Sequence, residues 1–276
     1  MCRYRAVPVL LALVVVVAGC GGSAEEGADR PCPSSPGAPA RLVPEVVRSF
    51  PHATDAFTEG LLVAGGTIWE STGLEGRSTL RALDARTGAE QRRAALPATV
   101  FGEGLALRRD GRLVQLTWKD GRAFVWDRKR LTTTGELTYD GEGWGLSATS
   151  DGRFVMSNGS DTLTVRDPMT FRPVRSVKVV RPGGGTDQLN ELEVDGGSVW
   201  ANRFQTTEIL RIDLACGTVT GTVDATGLVK DAQATAAAAG VATDVLNGIA
   251  KVPGTDHFLV TGKYWPKVYE VRFRPA

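Results

Sequence analysis

The sequence is poor in the side chains and motifs on which several common enzyme classes depend. It contains only two histidines, His52 and His257, and neither has another candidate ligand at a metal-binding spacing, which disfavours histidine-based zinc chemistry. It has no Gly-Xaa-Ser-Xaa-Gly elbow and no phosphate-binding glycine loop. Long amphipathic helical patterns are also missing, which disfavours Rossmann and α/β-hydrolase folds.

Net charge is nearly absent as well. The 32 basic residues balance 31 acidic ones, which leaves a formal charge of +1. No basic stripe interleaved with aromatic residues is visible, so nothing indicates a nucleic-acid partner. A length of 276 residues is enough for one large domain with a sizeable core.

The first twenty residues have the pattern of an export signal. Two arginines precede an apolar stretch, residues 7–18, that is shorter than a transmembrane span usually requires. The stretch leads into Val-Ala-Gly-Cys ending at Cys20, which resembles a bacterial lipobox with Cys20 as the lipidated residue. A plain secretory signal cleaved nearby, or a short anchor, is the alternative. We therefore expect residues 1–20 to be a lipoprotein signal peptide and residues 21–41 to be a flexible tether.

This interpretation places the mature protein on the outer face of the bacterial cytoplasmic membrane, held there only by its lipid. The same interpretation assigns each of the four cysteines to a segment of the chain. Cys2 lies within the signal and Cys20 is the predicted lipidation site, which leaves Cys32 in the tether and Cys216 in a late turn. In an exported protein, two remaining cysteines favour a disulfide, and two unpaired thiols are the alternative.

Residues 42–276 consist largely of short β-runs between Gly, Asp and Asn turns, and one tripeptide pattern recurs among them. Each copy ends in an aliphatic residue and begins with a large polar residue or a tryptophan. The five copies are Glu59-Gly60-Leu61, Glu103-Gly104-Leu105, Trp144-Gly145-Leu146, Asn190-Glu191-Leu192 and Asn247-Gly248-Ile249. They recur roughly every 40 to 57 residues, close to the period of a propeller blade.

Each tripeptide is followed by two further strand-like runs, and the apolar alternation within them predicts strands buried on one face. Five such units favour an all-β fold, a five-bladed β-propeller over residues 42–276, because closure removes exposed sheet edges. We expect the early run at residues 42–50 to complete the blade built by the C-terminal residues. An alanine-rich segment predicts a short helix over residues 230–240, inserted before the last blade. A β-sandwich, the alternative, fits the periodic tripeptides poorly.

If each tripeptide opens an innermost strand, the five first residues meet at one end of the central channel. The channel then brings Glu59 and Glu103 together, with Glu142 and Glu191 as further candidates. Carboxyl groups near apolar walls and near one another have raised pKa values, which suits proton transfer near neutral pH. Glu103 is the strongest candidate because glycines on both sides allow a ligand to approach closely.

Other residues could complete a pocket at this mouth. Trp118, Trp144 and Trp265 are candidate walls, with packing between blades as the alternative. Lys263 could donate a hydrogen bond to a developing oxyanion, with a surface lysine as the alternative.

These segments together resemble the plant-type glutaminyl-peptide cyclotransferases, the glutaminyl cyclases of the kind found in papaya latex. The resemblance runs from Phe50 to Phe273. It is carried by Phe50-Pro51-His52, Ala56-Phe57-Thr58-Glu59-Gly60-Leu61, Glu70-Ser71-Thr72-Gly73-Leu74, Gly76-Arg77-Ser78, Phe101-Gly102-Glu103-Gly104-Leu105, Gly143-Trp144-Gly145-Leu146, Leu189-Asn190-Glu191-Leu192-Glu193, Val199-Trp200-Ala201-Asn202, Leu246-Asn247-Gly248-Ile249-Ala250 and Thr261-Gly262-Lys263-Tyr264-Trp265-Pro266.

The resemblance implies a five-bladed propeller that converts the N-terminal glutamine of peptides or proteins into pyroglutamate and releases ammonia, with no cofactor required. It implies that Glu103 is the catalytic acid and base, assisted by Asn190 and Lys263. The positions matching the substrate pocket are Phe57, Glu59, Trp118, Trp144, Phe204 and Asn247. We expect a monomer whose partners are peptides or proteins with N-terminal glutamine.

Two positions depart from the family's pattern. Glu59 stands where the family usually has glutamine, and Phe204 stands at an aromatic position often filled by tryptophan. A carboxylate at Glu59 would raise the pKa of Glu103 and favour a cationic α-amine. We therefore expect a shifted substrate preference or pH optimum.

Two other functions are compatible with a ring of polar residues in a channel. One is a calcium-dependent propeller hydrolase of lactonase type, with Glu59, Asn190 and Asn247 supplying oxygen ligands. Trp144 in the same ring argues against it, since an indole cannot bind calcium. The other is a non-catalytic binding propeller, which would not need converging Glu, Asn and Lys side chains. A structural calcium ion in the channel would be compatible with a cyclase.

Overall fold

The chain folds almost entirely into β-strands in the computed structural model, which describes residue 1 and residues 32–276. The first strands are β1 (Ala40–Pro51), β2 (Thr58–Ala64), β3 (Thr67–Thr72), β4 (Thr79–Asp84), β5 (Glu90–Ala95), β6 (Gly102–Leu107), β7 (Leu113–Thr117), β8 (Arg122–Asp127), β9 (Thr132–Thr138) and β10 (Leu146–Ala148). The rest are β11 (Phe154–Met156), β12 (Thr162–Arg166), β13 (Pro173–Lys178), β14 (Leu189–Asp195), β15 (Ser198–Arg203), β16 (Glu208–Asp213), β17 (Val219–Asp224), helix α1 (Thr226–Ala238), β18 (Leu246–Lys251), β19 (Phe258–Gly262) and β20 (Lys267–Pro275).

This nearly all-β structure agrees with the predicted fold class. Within the described part of the chain, no helix combines the length and the apolar character that a membrane crossing needs. The predicted lipidation site, Cys20, lies outside the described residues.

The strands pair in antiparallel sets of four. Strands β2–β5, β6–β9 and β10–β13 form three four-stranded sheets, and the others form one sheet in the order β14-β15-β16-β17-β1-β20-β19-β18. In that sheet β1 runs parallel to β17 and antiparallel to β20. The predicted pairing of the early strand with the C-terminal residues is therefore confirmed, and it joins the two ends of the folded chain.

The tripeptide-bearing strands lie side by side in a closed cycle. Strand β2 contacts β6, β6 contacts β10, β10 contacts β14, β14 contacts β18, and β18 contacts β2. The core follows the same order, since five apolar clusters each join one set of strands to the next. Burying each leucine-sized side chain in such a cluster contributes about 1.5–3 kcal/mol to stability.

Glycine at the second tripeptide position permits this close approach. A Cβ atom at Gly60 would lie 2.7 Å from the Leu105 backbone nitrogen, and one at Gly145 would lie 2.1 Å from the Asn190 carbonyl oxygen. Real Cβ atoms do not come so near to backbone, so a larger residue would push neighbouring strands apart.

The fourth tripeptide has Glu191 in place of that glycine, and its side chain contacts the backbone of two other inner strands. One carboxylate oxygen accepts a hydrogen bond from the Leu61 backbone N–H at 3.0 Å, and the other accepts one from the Ile249 N–H at 2.7 Å. Glu191 therefore ties β14 to both β2 and β18. Burial raises the pKa of Glu191, and the two amide donors oppose that rise.

Two predictions about the strands were wrong. The inner strands are buried on both faces, because a neighbouring set covers each side, so they are not half-buried. Four of the five sets also contain a fourth strand that had not been predicted, namely β5, β9, β13 and β17. Strands β5, β9 and β13 are outermost and largely exposed, so they carry no apolar alternation that could reveal them.

The helix also differs from its prediction: it spans Thr226–Ala238 and not residues 230–240. Its first turn contains Gly227 and Val229, which are poor helix formers. Leu228 in the same turn is buried in the core, so packing overrides local propensity there.

The aspartates that end four third strands organise the following turns. Each side chain accepts backbone N–H groups two and three residues further along, at Asp84, Asp127, Asp167 and Asp213. Arginines of the preceding set then donate to the carbonyl groups of three turns, in the pairs Arg48–Arg86, Arg92–Lys129 and Arg175–Ala215. These turns therefore also join neighbouring sets at the periphery.

The structure joins Cys32 to Cys216 in a disulfide that bridges 184 positions of sequence. Cys216 lies in the turn after β16, so the bond fixes the segment before β1 against that turn.

The tight contact at Gly145 leads to a stability prediction. Gly145→Ala should lower the free energy of unfolding by at least about 2 kcal/mol, because its methyl group would overlap the Asn190 carbonyl. Urea denaturation followed by tryptophan fluorescence measures this. Gly135→Ala, in the outer strand β9, is the matched control because its Cβ would meet nothing within 4 Å. Equal unfolding free energies for both variants would contradict the packing account.

Candidate functional site

The tripeptides interrupt the regular pairing of the inner strands. Glu103 and Gly104 of β6 together face a single residue of β7, Leu116. Strands β14 and β18 show the same two-against-one arrangement, and Glu59 is the extra residue in β2. Such β-bulges bend a strand and re-aim its side chains, which is why they are frequent beside active sites.

Three predicted residues form one buried hydrogen-bonded cluster. The Lys263 ammonium donates to Oε1 of Glu59 at 2.7 Å, and the Asn247 side-chain amide donates to Oε2 of Glu59 at 3.0 Å. Asn247 also donates to the Thr58 carbonyl at 2.9 Å, so it fixes Glu59 against its own strand. Glu59 is 1% exposed and Lys263 is 6% exposed. Burial raises the pKa of Glu59 to about 7, although the Lys263 ammonium lowers it.

Glu103 lies beside this cluster with an unsatisfied carboxyl oxygen. It is 6% exposed, and its Oε2 atom is buried without a hydrogen-bond partner. Burial raises the pKa of Glu103 well above its ordinary value; Glu59 adds to the rise, Lys263 opposes it, and Glu142 adds to it again. Glu103 therefore has a buried carboxyl oxygen that no protein group satisfies.

Asn190 also has a free polar atom. Its side-chain Oδ1 is buried and has no hydrogen-bond partner. The Asn190 carbonyl accepts a hydrogen bond from the Ser157 hydroxyl at 2.6 Å, and Gly145 packs against the same carbonyl. The backbone is thus held in place while the side-chain oxygen is open to a ligand.

Five half-buried aromatic side chains form a closed chain of contacts that we call the aromatic rim: Phe57, Phe101, Trp118, Trp144 and Phe204. Ring centroids lie 6.0 Å apart for Phe57–Phe101, 5.5 Å for Phe101–Trp118 and 5.6 Å for Trp144–Phe204. Two charged groups complete the chain. Lys263 lies 4.3 Å from the Phe57 centroid and 5.4 Å from that of Phe204.

Glu142 is the second of these charged groups. Its Oε2 atom accepts hydrogen bonds from the indole N–H groups of Trp118 at 2.8 Å and Trp144 at 3.0 Å. These bonds lower the pKa of Glu142. Glu142 is therefore bonded to both tryptophans, and the Glu191 carboxylate is likewise bonded, to backbone amides.

Trp265 packs in the core and does not form a wall of the site, which was the alternative interpretation of this residue. It is fully buried in a core cluster, and its indole N–H donates to the Asp244 carbonyl at 2.9 Å.

A layer behind the site, formed by His52 and Glu70, holds the loop that carries Lys263. The sequence did not predict this role for either residue. Nδ1 of His52 is 2.9 Å from the Trp265 carbonyl, and Nε2 is 2.9 Å from Glu70 Oε1. The Glu70 charge raises the pKa of His52 against the opposing effect of burial. Tyr264, next to Lys263, has a φ of 61° and donates its N–H to the Ala56 carbonyl at 2.7 Å.

Phe101 was also missed as a site residue, although it directly precedes the Gly102-Glu103 segment. That adjacency is the one signal that could have identified it. No comparable signal marks His52, because only the folded chain brings it to the Lys263 loop.

The buried carboxyl groups lead to a prediction about pH and stability. A folded-state pKa near 7 for Glu59, above the ordinary 4.5, means that the folded protein holds this proton more tightly than the unfolded chain. Its contribution to stability is therefore complete below about pH 4.5 and is lost as the pH rises through 7. Glu59→Gln should remove a pH-dependent loss on the order of 1–3 kcal/mol between pH 5 and 8.

Chemical denaturation across that pH range measures the effect. Glu136→Gln, which removes an exposed carboxylate paired with Arg122, is the control and should leave the pH dependence unchanged. A Glu59→Gln profile parallel to that of the wild type would contradict the assigned pKa.

Sequence and structure comparisons with known proteins identify the relatives of this chain. A family model described as glutamine cyclotransferase matches residues 13–273. The glutaminyl-peptide cyclotransferase of Arabidopsis thaliana is 39% identical over 240 residues, which cover 84% of this chain and 72% of the relative. The crystal structure of Myxococcus xanthus glutaminyl cyclase is 39% identical and superposes with a TM-score of 0.77 over 86% of this chain and 99% of that one. The resemblance drawn from the motifs is confirmed, and the chain belongs to the glutamine cyclotransferase family.

Proposed function

We propose that Glu103 is the general acid and base of the reaction that this chain catalyses. The chain is a glutaminyl-peptide cyclotransferase, a transferase that converts the N-terminal glutamine of a peptide or protein into pyroglutamate and releases ammonia. The observation that carries the proposal is the buried, unpartnered Oε2 atom of Glu103. A carboxyl group with a raised pKa can both accept and return a proton near neutral pH.

The reaction is an intramolecular ring closure. The α-amine attacks the γ-carbonyl carbon of the same residue, so a five-membered ring forms without loss of a second molecule's freedom. Glu103 takes a proton from the attacking nitrogen and passes it to the amide nitrogen as the C–N bond breaks. Ammonia leaves, and Glu103 returns to its starting state.

Asn190 and Lys263 hold the γ-amide. Lys263 uses one N–H to bind Glu59, and an ammonium has further donors that can polarise the amide carbonyl. The free Oδ1 atom of Asn190 can accept an N–H group of the substrate.

The aromatic rim excludes water and orients the glutamine side chain. Water exclusion matters because hydrolysis of the amide to glutamate is the competing reaction. Trp118 and Trp144 are held by Glu142, and Phe57 and Phe204 flank Lys263. Lys263 therefore connects the aromatic rim to the charged cluster, because it also binds Glu59.

We propose further that the strand sets form a five-bladed β-propeller. The closed cycle of contacts among β2, β6, β10, β14 and β18 supports it, as do the five core clusters between successive sets. The β1–β20 pairing would close the ring, because one blade then contains strands from both ends of the chain.

The contacts of Glu59 argue against the calcium-dependent hydrolase. Both of its carboxylate oxygens accept hydrogen bonds from nitrogen donors, Lys263 and Asn247. An ammonium group beside Glu59 would also repel a divalent cation. The described residues contain no group of three or more His, Cys, Asp and Glu side chains that could hold a metal ion.

We also propose that the enzyme is exported and anchored through a lipid on Cys20, and that it acts as a monomer. The Cys32–Cys216 disulfide supports export, because disulfides persist in oxidising compartments and are rare in the cytosol.

The central test replaces the proposed acid and base. Glu103→Gln should lower the rate of ammonia release from a Gln-initiated peptide by at least about a hundredfold, because the amide cannot carry the proton. A coupled ammonia assay and mass spectrometry of the peptide measure this. Circular dichroism should show an intact fold, since glutamine keeps the shape and is neutral. Glu136→Gln is the control and should retain wild-type activity. Full activity in Glu103→Gln would rule out the assignment.

Lipid anchoring has its own test. Cys20→Ala should abolish incorporation of labelled palmitate in a bacterial host, because the acceptor thiol is gone. Cys2→Ala, which changes the other cysteine of the segment, should leave labelling intact. Labelling that survives in Cys20→Ala would show that this cysteine is not the anchor.

A further inference from the structure

The pocket contains a buried cation whose charge is already matched. Lys263 lies between the Phe57 and Phe204 rings, and its ammonium is 2.7 Å from Glu59. A second cation near the rim, Lys119, stacks on Trp118 at 3.8 Å from the ring centroid, and its side chain is 59% exposed. Water screens Lys119, so Lys263 dominates the positive potential inside the pocket.

Glu59 is fixed in place beside Lys263. Its second oxygen is fixed by the Asn247 amide, and its side chain is 2% exposed. The carboxylate therefore cannot turn away to water. The nearby Glu103 adds another acidic group, which has no partner of its own.

We propose that Glu59 is a specificity-determining residue: by neutralising Lys263 it strengthens the pocket's preference for a substrate with an uncharged γ-amide over one with a γ-carboxylate. This inference rests on the proposed function, since it concerns the same pocket and the same N-terminal residue.

The physical reason is that the shape of a pocket cannot distinguish a γ-amide from a γ-carboxylate. Glutamine and glutamate side chains have the same size and branching, so a pocket must distinguish them by charge or by the number of donors. A lone Lys263 ammonium would attract a carboxylate strongly in a buried site. With Glu59 beside it, the same carboxylate meets a neutral pair and the Glu103 group, and gains no net attraction. An amide still accepts a hydrogen bond from Lys263, and because it is uncharged it loses little hydration free energy when it enters the pocket.

The test compares two peptides that differ only in their first residue, Gln or Glu, at pH 8, above the pKa of Glu59. The Gln peptide is the substrate, and the Glu peptide is a competitive inhibitor. In Glu59→Gln, the inhibition constant of the Glu peptide divided by the KM of the Gln peptide should fall about tenfold or more, because Lys263 is left unneutralised. Changes that affect both peptides equally, such as contacts to the α-amine, cancel in this ratio.

Glu193→Gln is the matched control, since it removes another carboxyl of the channel strand β14 that is bonded to Ser147 and not to Lys263. Its ratio should equal that of the wild type. An unchanged ratio in Glu59→Gln, or an equal fall in Glu193→Gln, would overturn the proposal.

The wild-type enzyme provides a second measurement that does not depend on folding of a variant. The Glu peptide should bind at least about tenfold more weakly than the Gln peptide. Equal binding would also overturn the proposal. Failure of the proposed function is a different result, in which the wild type releases no ammonia from the Gln peptide.

Discussion

The constraint on which this structure depends is the close approach of five inner strands in a closed cycle of contacts. Backbone meets backbone there at distances that exclude a side chain at Gly60 and Gly145. Where glycine is absent, the Glu191 side chain bonds the backbone of β2 and β18. Because the strands are this close, the bulge residues within them lie near one another. The site is therefore a direct consequence of how the inner strands pack.

That volume determines the electrostatics. Glu59, Glu103 and Lys263 are all removed from water, so each charge has a large effect on the others. Lys263 is matched to Glu59, and Glu103 is left without a partner. Two carboxyl groups of similar burial thus have different surroundings: one is bonded to a cation, and the other has an oxygen without a hydrogen-bond partner.

The aromatic rim and the layer behind it give the charged cluster a fixed geometry. Glu142 binds both rim tryptophans, and His52 holds the loop that carries Lys263. These groups do not take part in the proposed proton transfer. They keep the rings and the ammonium in position, which a reaction that depends on orientation requires.

The sequence alone determined the β-rich class, the five tripeptides and the identity of Glu103 as the main candidate, because a repeat at blade period and a polar residue beside glycine are visible in one dimension. The outer strands, the early start of α1 and the orientation of Glu59 toward Lys263 were decided only by the tertiary structure. Outer strands such as β9 lack an apolar pattern that could reveal them. The helix begins before Leu228 because packing of this side chain in the core stabilises the first turn. Glu59 and Lys263 are 204 residues apart, so only the folded structure could show that their side chains form an ion pair.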